Sequence, residues 1–231
     1  MAKGWNRQSQ TKSRARGAKV RVKTARGRKP SSTRWLQRQL NDPYVAEANR
    51  LGYRSRAAFK LVELNDRYQF LKGVKRAVDL GCAPGGWLQV LARVMPEESQ
   101  IIGIDLQEVE HVDGVDLWVM DFLDENAEER LMAALDGPAD IVLSDMANSA
   151  TGHRQTDQIR TMALCEAALD FAIKVLAPGG TFVAKVLQGG SDGVLMERMQ
   201  KHFKTVKHAK PPASRADSKE WFVLAQGFKG T

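Results

Sequence analysis

Several things are scarce in this chain of 231 residues, and each scarcity removes a class of protein. It has two cysteines, Cys82 and Cys165, with neither metal-ligand spacing nor a disulfide framework. That usage suits a reducing compartment, so a cytoplasmic protein is expected. No run of eighteen or so apolar residues occurs, so nothing should span a membrane. No internal repeat is visible. Acidic residues are missing from the start of the chain until Asp42, while thirteen Lys or Arg precede it. The remainder holds 22 basic and 27 acidic residues, a net of −5 against +8 for the whole. An acidic body therefore carries a strongly basic arm.

The arm has too few apolar groups to fold alone, and residues 1–34 are expected to form a disordered segment. No apolar stretch follows its charges, so it does not read as a secretory signal. An Arg-rich, acid-poor transit peptide is a rival reading, weakened by the lack of an amphipathic apolar face. Charge of one sign at this density points to a nucleic-acid partner whose phosphates it neutralises. A solubilising tail is the alternative.

What is abundant is apolar content, 43% of residues, enough for a substantial core in one domain over 35–231. Between residues 38 and 70 the pattern is helical. Pro43 suits a first helical position and Gly52 a helix end, while Ser55 reads as an N-cap. From residue 74 onward strand and helix patterns alternate. Strands are expected at 76–82, 100–106, 115–122, 139–146, 181–187, 203–209 and 220–228, with helices between them. The central ones are short and almost continuously apolar, as strands covered on both faces should be. The pattern predicts a doubly wound α/β fold with helices on both faces of a seven-stranded, mostly parallel sheet. The hairpin-like end makes the last strand antiparallel.

In such sheets ligands bind beyond the carboxyl ends of the strands. The turn after the first strand, in "VDLGCAPGGW", sits there and holds Gly81, Gly85 and Gly86. It is not the G-x-G-x-x-G fingerprint, and no Gly-Lys-Ser/Thr follows, so a nicotinamide oxidoreductase and a P-loop enzyme lose ground. Asp105 closes the second strand, 20 residues after Gly85, where a carboxylate accepts from ribose hydroxyls. Asp121 is expected to end the third strand and to meet an adenine amino group. Asp145 is expected to end the fourth. With Asp79 these acids gather at one sheet edge, and clustered carboxylates favour a cationic ligand. A ribose-bearing cation such as S-adenosyl-L-methionine fits. The four histidines show no metal spacing, and no metal is expected.

The stretches "GYRSRAAFKL", "VDLGCAPGGW", "IIGIDL", "DIVLSDMAN", "GGTFVAKVLQG" and "SRADSKEWFVLA" resemble the FtsJ/RrmJ family of ribosomal RNA 2′-O-ribose methyltransferases. The resemblance implies a Rossmann-like class I methyltransferase fold. It implies a catalytic tetrad of Lys60, Asp145, Lys185 and Glu220, and cofactor contacts at Gly85, Gly86, Trp87, Asp105, Asp121 and Asp145. For the bacterial branch, whose wording is nearest, it implies action on one uridine in the aminoacyl-site loop of 23S rRNA, within the large ribosomal subunit or its precursor. A monomer is expected. Relatives act on tRNA anticodon loops, and an RNA-binding assembly factor with incidental chemistry is a further alternative. Whether Lys185 would act as a neutral base or as an ammonium stays open from sequence.

Overall fold

Alternation of side chains along the central strands divides the core into two layers. Ala77, Ile101, Ile141, Leu143, Val183 and Phe222 pack on one face. Their neighbours Val78, Ile102, Val142, Phe182 and Val223 pack on the other. Two-residue periodicity with both faces apolar is the signature of a sheet buried between helices. The computed structural model describes residues 20–22, 26–147, 152–187 and 192–230, and shows this sheet directly.

Three helices come first: α1 (Pro30–Leu40), α2 (Pro43–Leu51) and α3 (Ala57–Tyr68). Then follow β1 (Arg76–Leu80), α4 (Gly86–Val94), β2 (Gln100–Asp105), β3 (Asp116–Val119), α5 (Ala127–Ala134) and β4 (Ala139–Ser144). The chain closes with α6 (Arg154–Val175), β5 (Leu176–Leu187), α7 (Asp192–His202), β6 (Phe203–Ala209) and β7 (Glu220–Phe228). The strand order is β3-β2-β1-β4-β5-β7-β6. Only β7 runs antiparallel to its neighbours β5 and β6. The expected seven-stranded sheet is thus observed, with β6–β7 as the terminal hairpin. α3 and α4 cover the first face, and α5, α6 and α7 the second.

Where boundaries differ from expectation, local chemistry explains it. β1 stops at Leu80 because Gly81 adopts a left-handed φ of 78° and starts the turn. β3 stops at Val119, so Asp121 lies two residues past the strand rather than at its end. Ladder pairing begins at Leu176, ahead of the expected Thr181, with a bulge against β4 between Ala139 and Ile141. α6 ends at Val175, because Pro178 disfavours helical backbone at the residue before it. The Ncap of α3 is Arg56 rather than Ser55, whose hydroxyl accepts from Ala57 N–H at 3.3 Å. Pro43 and Gly52 sit where expected, at the first turn and the left-handed C-cap of α2. Residues 30–34, the end of the basic arm, lie in α1. Among the described residues no helix is long and apolar enough to cross a membrane.

Candidate active site

The parallel strands β1, β2 and β4 all end at one edge of the sheet, and the turn after β1 lies across them. Gly81 and Cys82 both donate backbone N–H bonds to the Ile104 carbonyl, at 2.9 and 3.2 Å. A Cβ on Gly81 would stand 2.8 Å from the Met146 backbone, so only glycine lets the turn pass this close to the end of β4. Gly85 has φ 101° and is the Ncap of α4. Gly86 brings α4 against α3, since a Cβ there would meet the Ser55 hydroxyl at 2.7 Å.

Beneath the turn lies a cleft of about 450 Å³. Gly81, Asp105, Asp121, Asp145 and Lys185 line it, along with Leu106 and Leu123. Asp105 is fixed by two backbone donors, Ala83 N–H on one oxygen and Gln107 N–H on the other, each at 2.9 Å. A carboxylate offers about four lone-pair sites, so two remain for a ligand. Asp121 accepts from Leu123 N–H at 2.9 Å and is otherwise open to solvent.

At one end of the cleft two ion pairs adjoin. Lys185 Nζ stands 2.7 Å from an Asp145 carboxylate oxygen and donates to the Asp145 carbonyl at 2.6 Å. Lys60 Nζ stands 2.6 Å from Glu220 Oε1, which also accepts from the Ser214 hydroxyl at 3.2 Å. The register of β5 on β7 sets Lys185 opposite Phe222 and Leu187 opposite Glu220, so two adjacent strands supply two members. β4 runs into the third, and α3 brings the fourth across the sheet. The four side chains are only 10–19% exposed, close to buried yet reachable from outside. Burial pushes the Asp145 carboxyl up, but the Lys185 and then the Lys60 ammonium outweigh it and hold the carboxyl below its usual range. The four residues named from the resemblance are therefore together in space.

The cofactor candidates divide. Asp105, Asp121 and Asp145 face the cleft. Gly85 and Gly86 open α4 beside it. Trp87 turns its side chain away: Nε1 donates to the Ala57 carbonyl at 2.9 Å, and the ring packs on Phe222 at 5.8 Å. It holds α4 against α3 and β7, so only its backbone belongs to the turn. Asp79 is fully buried in β1, and neither carboxylate oxygen has a hydrogen-bond partner among the described residues. Burial first, then Asp145 and Asp105, drive its pKa well above the carboxylate range. Cys82 is buried beside it, and burial first, then the Asp79 and Asp105 carboxyls, push its thiol up, so it is inert filling rather than a nucleophile. No cluster of three metal-ligating side chains occurs among the described residues.

Two contributors escaped sequence reasoning. Arg54 donates to the carbonyls of Glu110 and His111, each at 2.6 Å, and its guanidinium lies against Gly85. It ties the segment after β2 to the glycine turn. Ser214 braces Glu220. Neither has a local signal, because each acts on a segment brought near only by folding.

The family model for FtsJ-like methyltransferases matches residues 53–228. The chain belongs to that family. Among curated relatives, one named ribosomal RNA large subunit methyltransferase E from Rhizorhabdus wittichii is 59% identical over 214 residues, covering 93% of each chain. A protein of the same name from Erythrobacter litoralis is 61% identical over 210 residues, covering 91% of this chain and 95% of its own. A solved structure described as a ribosomal RNA methyltransferase from Plasmodium falciparum is 29% identical, with a TM-score of 0.68. It covers 78% of this chain and 100% of its own. The matched FtsJ-like segment contains every strand of the sheet and all four members of the paired Lys–acid cluster.

Proposed function

We propose that this protein transfers a methyl group from S-adenosyl-L-methionine to the ribose 2′-hydroxyl of a uridine in the aminoacyl-site loop of 23S rRNA, in the large ribosomal subunit or its precursor. The observation that carries it is the adjoining of the Lys185–Asp145 and Lys60–Glu220 pairs at the end of a carboxylate-lined cleft. The names of the relatives above support the substrate. The cleft suits the cofactor: its acids match a ligand that carries a sulfonium and an ammonium, and Asp105 keeps lone pairs for two ribose hydroxyls. When bound, S-adenosyl-L-methionine supplies an electrophilic methyl on a positively charged sulfur.

The protein's own tasks follow from the geometry. Asp105 and Asp121 orient the nucleoside end. Asp145 is the tetrad member that lines the cleft beside Lys185, and aligns Lys185 with the methyl. Lys60 and Glu220, braced by Ser214, receive the acceptor ribose. Lys185 contacts the 2′-oxygen as it attacks. Overall one C–O bond forms, one C–S bond breaks and one proton leaves the 2′-hydroxyl. Preorganised charge at the attacking oxygen is the main rate contribution available to such a site.

The test uses large subunits from cells lacking this modification, incubated with purified protein and radiolabelled S-adenosyl-L-methionine. A 2′-O-methyluridine in the aminoacyl-site loop is expected. Label in tRNA and none in large-subunit RNA would overturn the substrate, and no transfer to any RNA would overturn the reaction.

A further inference from the structure

The segment before α2 has a composition and an exposure that the tetrad does not explain. α1 buries none of its residues. Trp35 is 55% exposed, although a tryptophan is normally among the best-buried side chains of a fold. Arg38 is one turn on from both Trp35 and Arg34, so it lies between them on the helix surface. No acid occurs in α1 or anywhere before Asp42. The end of the basic arm is strapped along the same helix. Val20 N–H donates to the Asn41 side chain, which donates back to the Val20 carbonyl, both at 2.9 Å. Val22 N–H donates to Gln37 at 3.1 Å. Arg38 in turn reaches Asp217 at 3.7 Å, three residues before Glu220.

We infer that α1 is a stacking platform for single-stranded RNA, with a base on the Trp35 indole and phosphates against Arg34 and Arg38. The inference rests on the proposed RNA substrate and adds a site to it. An aromatic face beside cations, on a helix that carries no acid of its own, is the composition that holds unpaired nucleic acid. The link from Arg38 to the segment entering β7 leads a strand on α1 toward Lys60 and Glu220, where the acceptor ribose has to arrive. An anionic lipid surface would meet the same charges, but would have no reason to be joined to that end of the site.

The probes are a single-stranded oligouridylate and intact large ribosomal subunits, titrated over a range of salt. Trp35→Ala should weaken binding roughly 5- to 150-fold, as loss of one stacked base does. The slope of log K against log salt should not change, because no charge is removed. Trp35→Phe should restore most of the affinity. Arg34→Gln with Arg38→Gln should instead flatten the slope by about 1.4, at about 0.7 per phosphate. In methyl transfer the Trp35→Ala loss should appear in KM for RNA rather than in kcat. Independently of any variant, ultraviolet cross-linking of 4-thiouridine RNA to the wild-type protein should label the peptide containing residues 34–38. Unchanged affinity in Trp35→Ala, a Phe variant as weak as the Ala variant, or no cross-link in that peptide would each overturn the platform. So would binding of phosphatidylglycerol vesicles that depends on Trp35 while RNA binding does not. A wild-type protein that cross-links RNA through this peptide yet methylates no large-subunit RNA would sink the proposed function and leave the platform standing.

Discussion

Asp79→Asn should make the cofactor-free protein more stable, by an amount that grows with pH. Asp79 has no exposed surface, and its carboxylate oxygens have no partner among the described residues. Burial, with Asp145 and Asp105 nearby, holds its folded pKa well above the ordinary range. In the unfolded chain the group titrates near 3.9. Between these two values the native state keeps a proton that the unfolded state has released. The stability contributed by the neutral acid is therefore complete below about pH 4 and is lost as pH rises through the window. The slope is about 1.36 kcal/mol per pH unit, and the curve levels above the folded pKa. Asn has nearly the same shape and no proton to lose. The variant and wild type should therefore agree near pH 4 and diverge at about that slope. Other titrating groups, such as Glu63, whose pKa is also raised by burial, are common to both proteins and cancel in the difference. Urea unfolding at half-unit steps from pH 4 to 8 would measure it. Parallel curves would refute the reasoning, and a constant loss in the variant would mean that Asp79 is ionised and paired in the native state.

Asp105→Ala should weaken S-adenosyl-L-methionine binding by roughly 10- to 150-fold, since a hydrogen bond to a charged group is worth about 1.5–3 kcal/mol; unchanged calorimetric affinity would remove Asp105 from the site. Lys185→Ala should abolish methyl transfer and leave cofactor affinity nearly intact, and substantial residual turnover would contradict an essential role. Lys185→Arg keeps the charge but cannot act as a base near neutral pH, so its turnover on RNA separates the two roles of the lysine. Removing residues 1–29 takes away eleven basic residues and no acid while sparing α1, changing the net charge from +8 to −3. If about six of those charges meet phosphates, the salt slope of RNA binding should fall by roughly four, whereas parallel slopes would mark the arm as a solubilising tail.

The architecture was legible because its signal is local. "RAVDL", "QIIGID" and "ADIVLS" are apolar runs too short for helices, separated by helical periods, and they became β1, β2 and β4. Boundaries were less legible where one turn residue outweighs periodicity, as Gly81 does after β1 and Pro178 does at the head of β5. The strands place Asp105 and Asp145 at the ligand edge, and the same pattern groups Asp79 with them. Its position inside β1 buries it instead, and only the packing of α4 on the sheet decides that. The resemblance named the tetrad; the ion pairing of its members depends on β5–β7 register and the crossing of α3. Arg54 and Ser214 illustrate the remainder. Arg54 acts on carbonyls 56 and 57 residues away, a distance no sequence window spans.

The pairing also bears on what Lys185 does in the proposed reaction. An ammonium has three hydrogens and no lone pair; a neutral amine has two hydrogens and one. Lys185 donates to the Asp145 carbonyl and stands in an ion pair with its carboxylate, so in either state at least one position is left for the ribose oxygen. Hydrogen-bond count alone does not choose between them, but charge does. With both lysines protonated, the two pairs sum to zero. With Lys185 neutral, the cluster carries −1 beside a cationic sulfur. That negative charge attracts the ground state most strongly, because the positive charge drains from sulfur as the methyl departs, and ground-state attraction does not accelerate the step. A protonated Lys185 places its charge where negative charge develops, on the attacking oxygen. In the proposed reaction the ammonium role therefore serves the transition state better, with the 2′-hydroxyl proton leaving late to solvent water.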